Sequence, residues 1–135
     1  MLEYIIQLNG IYDIICALCI LQIIDIPLLG SLHLSMLQEK PIDAITERFY
    51  AYWIFTNGVI RLSNHVPLII SSYILEGIFY WNELSTYDSV YFEKTVFVIL
   101  SSWILASLCY IYYRTTSILH LWYDMDYINK KIDEK

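Results

Sequence analysis

Four long apolar stretches make up most of this 135-residue chain, and charged residues interrupt the middle two. Arg48 and Arg61 lie at the two ends of the second stretch, and Glu76 lies inside the third. With 58% apolar and only 16% charged residues, the chain holds more apolar surface than a soluble domain of this length can bury. We therefore predict an all-α integral membrane protein, built as a bundle of four transmembrane helices with a polar core.

Aromatic and charged residues indicate the kind of partner. The chain contains 13 Tyr and 4 Trp, whose amphipathic rings favour the boundary between hydrocarbon and water. Its net charge of −6 argues against a nucleic acid, because binding to phosphates requires clustered Lys and Arg. The expected partners are the lipid bilayer and other membrane proteins.

The predicted domain organisation is a single multi-pass domain that covers residues 1–135, with spans at about 4–25, 49–64, 68–81 and 95–113. Pro27 is expected to end the first span, since proline has no N–H donor. Turn-forming residues between 63 and 67 predict a short central hairpin. Residues 28–38 are too few to cross and form either the end of a kinked first helix or an interfacial segment. Residues 115–135 are predicted to form an amphipathic C-terminal tail.

The distribution of Lys and Arg predicts an orientation. In a four-span chain, the N-terminus, the second loop and the tail share one side, and that side holds more basic residues than the other. Both termini are therefore expected in the cytosol. The short second and third spans favour a thin bilayer such as that of the endoplasmic reticulum. A composition rich in Ile and Tyr leaves a virus-modified host membrane as the alternative.

Polar residues recur at helical spacing within three of the spans, and these are the candidate site residues: Asn9 and Asp13; Trp53, Asn57 and Arg61; Ser72, Glu76 and Tyr80. An ionised side chain at mid-membrane costs about 2.5–3.5 kcal/mol, so Arg61 should pair with Asp13 or Glu76. The favoured interpretation is a structural network that fixes how the helices dock. The other is a proton or substrate site.

No pattern typical of an enzyme is evident. His33, His65 and His120 are not placed beside a nucleophile, and no His or Cys cluster has the spacing of metal ligands. The three cysteines lie in apolar runs, which is typical of packed free thiols. We therefore predict no catalytic residue, no metal and no cofactor.

One stretch resembles a known family. The segment Arg48-Phe-Tyr-Ala-Tyr-Trp53, followed by Arg61 and then by Glu76-Gly-Ile-Phe-Tyr80, is similar to the central helices of the ergosterol biosynthesis protein 28 family. The interval between Arg61 and Glu76 is shorter here than in that family. The resemblance implies a small four-span protein of the endoplasmic reticulum that tethers sterol-modifying enzymes without catalysing a reaction. It also implies that Arg48, Trp53, Arg61 and Glu76 are structural determinants.

The predicted function is thus that of a non-catalytic scaffold or assembly component, which acts by helix packing. A small transporter, or a subunit of one, that uses Asp13, Arg61 and Glu76 as a charged relay is the second hypothesis. A membrane protein of a large virus remains as plausible an origin as the family named above.

Overall fold

The computed structural model describes residues 1–38, 43–63 and 65–133, with side chains up to residue 117. Apart from one isolated β-bridge, all regular structure in these residues is helical, which confirms the predicted all-α class. Two short helical turns lie between the first and second long helices, and a π-helical turn, Glu83–Tyr87, follows the third. The helices are α1 (Leu2–Ile20), α2 (Leu29–Leu32), α3 (Ala44–Leu62), α4 (Val66–Asn82) and α5 (Phe92–Asp133), with a 3₁₀ turn at Leu34–Met36.

Helix α1 ends earlier than the sequence predicts. The N–H groups of Gln22 and Ile23 turn back to carbonyls of the last helical turn, each at 3.0 Å, which is the hydrogen-bond pattern of a Schellman motif. Gln22 adopts the left-handed backbone conformation that this motif requires, with φ of 58°. The helix is closed by this motif before the chain reaches Pro27, so the predicted limit at residue 25 is corrected to Ile20.

Helix α3 begins earlier than the predicted span at residue 49. The carboxylate of Asp43 accepts the N–H of Thr46 at 2.7 Å and caps the helix, so that Arg48 lies exposed in its second turn. The 19 residues of α3 and the 17 of α4 extend over about 28 and 26 Å at 1.5 Å per residue. Both helix lengths approach the 30 Å or so of a typical hydrocarbon core, although α3 includes Glu47 and Arg48 near its start.

Helix α5 contains the predicted fourth span and most of the predicted tail in one continuous helix. No Gly or Pro occurs between residues 92 and 133, so nothing in the sequence breaks the helix near Arg114. The predicted C-terminal tail thus continues α5 as far as Asp133. The predicted amphipathic face of this extension involves side chains outside those that the structure describes.

The long helices pack as two pairs. In the α1/α3 pair the backbones touch at two glycines: a Cβ on Gly58 would lie 2.8 Å from the carbonyl oxygen of Gly10. In the α4/α5 pair the indole ring of Trp103 covers Gly77 so closely that a Cβ there would collide with it. Small buried residues, Ala17 and Ala51 in the first pair and Ala106 in the second, continue these close contacts.

Residues 29–38, which we call the capping segment, close one end of the bundle beside α1. Backbone hydrogen bonds join this segment to the residues just before α5: Gln38 N–H to Ser89 O at 2.9 Å, and Tyr91 N–H to Met36 O at 2.8 Å. The Nζ of Lys94 also donates to the Ser35 carbonyl at 2.9 Å. The capping segment is thus a fixed part of the fold.

Two helices, Leu2–Ile20 and Phe92–Ser117, are long and apolar enough to cross a membrane. Large hydrophobic side chains on all four long helices point outward, among them Leu8, Phe49, Ile78 and Phe97. A few polar side chains are buried among the hydrophobic core residues, including the charged Asp13 and Arg61, whereas most other described charged residues are exposed. Buried charges beneath an apolar outer face are unusual in a soluble bundle.

The glycine contact between α1 and α3 yields a prediction. In Gly58→Ala the new Cβ meets backbone atoms, which cannot rotate away, so we expect a loss of about 1–3 kcal/mol in unfolding free energy. Thermal unfolding in detergent, followed by circular dichroism, measures the change. Thr56→Ala, on the exposed face of the same helix, is the control and should alter stability by no more than about 0.5 kcal/mol. Equal stabilities of the two variants would contradict the close contact.

Candidate functional site

Arg61 is the centre of a buried ion cluster. It lies in the last turn of α3, and its side chain is only 1% exposed. Its Nη1 donates a hydrogen bond to Oδ2 of Asp13 on α1, and its Nη2 donates to Oε2 of Glu76 on α4 at 2.7 Å. A single guanidinium group therefore joins three helices.

The fourth long helix and a tyrosine complete the cluster. The hydroxyl of Ser102 on α5 donates to the same Oε2 of Glu76 at 2.6 Å. The Cζ of Arg61 lies 4.2 Å from the centre of the Tyr73 ring, which is cation–π geometry. The Tyr73 hydroxyl in turn donates to Oδ1 of Asn9 at 2.9 Å. All four long helices thus contribute to one connected polar group, which we call the Arg61 cluster: Asn9, Asp13, Arg61, Tyr73, Glu76 and Ser102.

Acidic groups outnumber basic ones in the Arg61 cluster. Two carboxyl groups surround one guanidinium group. His33 of the capping segment also lies near, with its Nε2 4.0 Å from Oδ1 of Asp13. Burial lowers the pKa of His33, although the carboxylate of Glu76 acts against this shift, and the imidazole is therefore neutral at pH 7. The histidine therefore adds no second cation to the cluster.

A cavity of about 700 Å³ lies beside the cluster, along the groove between α1 and α5. Asp13, Arg61 and Glu76 form its polar part, and the capping segment lines it at one end with His33 and Met36. Its remaining walls are largely apolar and come from α1 and α5: Ile5, Phe97, Val98 and Leu105. The cavity is therefore amphipathic, with its charged groups on the inner side.

The other residues predicted for the site lie outside the cluster. Tyr80 is buried and its hydroxyl shares a hydrogen bond with the Tyr50 hydroxyl, between α4 and α3. Asn57 is buried on α3, but its side chain makes no hydrogen bond to another described residue. Trp53 is partly exposed and its ring lies 5.9 Å from that of Phe79. Arg48 is exposed, more than two turns from Arg61, and takes no part in the cluster.

Three members of this region were not singled out in the sequence as site residues. Tyr73 lies three residues before Glu76, a spacing that places both on one face of α4, and this was a usable signal. Ser102 lies within the apolar run of the fourth predicted span, where a serine gives no sign of a partner on another helix. His33 gave no signal, because its approach to Asp13 depends on the turn that follows α1.

Among residues 1–38, 43–63 and 65–133, no group of three His, Cys, Asp or Glu side chains is arranged to hold a metal ion. All three cysteines are free, and Cys16 and Cys109 are buried. The chemistry that the cluster offers is therefore electrostatic: it can fix the helices to one another, exchange a proton, or hold a cation.

Removal of Arg61 should be more harmful than removal of the whole ion cluster. Arg61→Met leaves Asp13 and Glu76 without a cationic partner, which costs about 3–5 kcal/mol in unfolding free energy. The triple variant Asp13→Asn, Arg61→Met, Glu76→Gln leaves no buried charge and should recover most of that loss. Thermal unfolding in detergent compares the two. A triple variant less stable than Arg61→Met would contradict the assignment of the ion pairs.

No protein-family model, curated protein or solved structure matches this chain. The resemblance to the ergosterol biosynthesis protein 28 family therefore stays a prediction from the central helices.

Proposed function

We propose that this chain is a four-span integral membrane protein and a non-catalytic scaffold or assembly component. The observation that carries the proposal is the distribution of side chains, with an ion cluster inside and large apolar residues outside on every long helix. Hydrocarbon favours this arrangement because a buried ion pair is satisfied within the bundle and the outer face needs no water. The lipid bilayer is accordingly the first partner.

The arrangement of the helix ends supports four crossings. Glu3, Ser63 and Tyr112 line a common cavity at one end of the bundle, which joins the start of α1, the α3/α4 turn and the later part of α5. At the opposite end, the capping segment bonds to Ser89 just before α5. Each long helix therefore runs from one end to the other, as successive spans do.

The contacts of Arg61 favour a structural role for the cluster. Both terminal nitrogens of the guanidinium group are bound to carboxylates, and Ser102 ties Glu76 to α5. These bonds hold all four helices in one arrangement, which leaves the outer faces as a fixed surface for other membrane proteins. The exposed aromatic residues of α3 and α4, such as Phe49 and Trp81, belong to that surface.

A small transporter, or a subunit of one, is the second candidate. The cavity beside Asp13 and Glu76 favours it, because a carboxylate with an open approach can exchange protons or cations. The endoplasmic reticulum and a virus-modified membrane both stay as proposed locations, with both termini in the cytosol.

Cysteine labelling tests the number of spans. In a chain whose three native cysteines are replaced by alanine, single cysteines are introduced as Glu3→Cys, Asp25→Cys, Ser63→Cys and Thr86→Cys. A membrane-impermeant maleimide added to sealed vesicles should label positions 3 and 63 from one side and positions 25 and 86 from the other. If only α1 and α5 crossed, position 63 would be labelled together with 25 and 86, and that result would contradict the four-span proposal.

Replacement of Glu76 separates the two candidate functions. In a scaffold, Glu76→Gln weakens the bonds to Arg61 and Ser102, so folded yield and recovery of partner proteins should fall together. Purified wild-type protein in proteoliposomes should carry no proton or cation flux. Ser71→Ala, on the exposed face of α4, is the control and should match the wild type in yield and recovery. A wild-type flux that Glu76→Gln abolishes at unchanged yield would support the transporter and overturn the scaffold.

A further inference from the structure

The two carboxylates of the Arg61 cluster each retain a free oxygen. Arg61 binds Oδ2 of Asp13, and no described residue donates a hydrogen bond to Oδ1, which lies 4.0 Å from Nε2 of His33. Likewise Arg61 and Ser102 both bind Oε2 of Glu76, and Oε1 receives no hydrogen bond from a described residue. Both side chains line the cavity beside the cluster, so the free oxygens are available to a molecule that enters it.

Both acids line the cavity of about 700 Å³, and the two of them share a single guanidinium group. A cation with hydrogen-bond donors that enters the cavity would pair with the acid in excess. The Lys94 ammonium does not supply this cation, because it lies at the end of the cavity and is bound to Ser35.

The rest of the cavity indicates what is attached to the cation. Ile5 of α1 and Phe97 and Leu105 of α5 line it and offer hydrocarbon contacts to an alkyl chain. Ile5 and Phe97 are also exposed on the outer surface of the bundle, at 45% and 73%. The groove between α1 and α5 therefore joins the cavity to the surroundings of the helices, which in the proposed orientation is the bilayer.

We propose that this cavity binds a primary alkylammonium ion, with the ammonium group on the free oxygens of Asp13 and Glu76 and the alkyl chain between α1 and α5. A primary ammonium group has three donors and no acceptor, which suits two unsatisfied carboxylate oxygens better than a hydroxyl or a quaternary amine. The site goes beyond the scaffold role, since binding requires neither transport nor a partner protein.

Two kinds of molecule carry a primary ammonium group next to alkyl chains: a free amphipathic amine, and a lipid with an amine headgroup whose chains extend into the bilayer. The groove is open to both. A binding experiment in membranes of defined composition distinguishes these two ligands. If the natural ligand is a lipid with an amine headgroup, that lipid competes with an added amine, whereas a lipid without a primary amine does not.

The experiment measures octylamine binding to the full chain in phosphatidylcholine nanodiscs by isothermal titration calorimetry, with empty nanodiscs subtracted. We expect saturable binding of octylamine, and at least about tenfold weaker binding of octan-1-ol and octanoate, which lack the ammonium charge. Inclusion of phosphatidylethanolamine should weaken octylamine binding if the natural ligand is a headgroup. Unchanged octylamine binding in the presence of phosphatidylethanolamine assigns the site to a free amine.

Two variants test the location of the site. Ser101→Phe places a bulky ring in the cavity and leaves all members of the Arg61 cluster in place, so it should abolish octylamine binding, whereas Ile104→Phe on the outer face of α5 should leave binding unchanged. Asp13→Asn removes one of the two carboxylates and should also abolish binding, with circular dichroism as the check that each variant folds. The proposal is overturned if octan-1-ol binds as tightly as octylamine, or if Ser101→Phe binds octylamine like the wild type.

Discussion

The burial of one guanidinium group is the constraint on which the rest of this structure depends. A charge that is 99% removed from solvent requires partners with complementary geometry, and Arg61 obtains them from two other helices. For Asp13 to come within reach, α1 and α3 must cross closely, which the facing Gly10 and Gly58 permit. Glu76 is also bound from α5, where Ser102 lies close enough for its hydroxyl to donate a hydrogen bond to the carboxylate. Packing and electrostatics therefore select the same arrangement of helices.

The Arg61 cluster contains one acid more than a single ion pair needs. One carboxylate would neutralise Arg61, and each additional buried carboxylate adds a desolvation cost. Asp13 and Glu76 are both present, and each turns only one oxygen toward the arginine. The second acid joins a further helix to Arg61, and the other oxygen of each acid accepts no hydrogen bond from a described residue beside the cavity. This imbalance links the proposed scaffold to the proposed binding site.

The sequence predicts the faces of the helices better than it predicts their ends and their mutual contacts. Spacing of four residues is enough to place Asn9 with Asp13 and Asn57 with Arg61, because it depends only on helix geometry. It does not reveal that Ser102 meets Glu76, which depends on the crossing of two helices far apart in the chain. The end of α1 was missed since Gln22 adopts a backbone conformation more typical of glycine, and the start of α3 was missed since Asp43 lies outside the apolar stretch.

The capping segment determines the direction from which the cavity can be entered. It contains ten residues, too few to cross a bilayer, yet it packs beside α1 and is bonded to the chain before α5. The cavity is thereby covered at the end where Lys94 and Ser35 meet, and its apolar walls continue outward between α1 and α5. In the proposed bilayer, a water-soluble ion would have to pass the hydrocarbon to enter by this groove. A cation with its own alkyl chain would partition into that bilayer first, so the proposed site favours an amphipathic cation over an inorganic one.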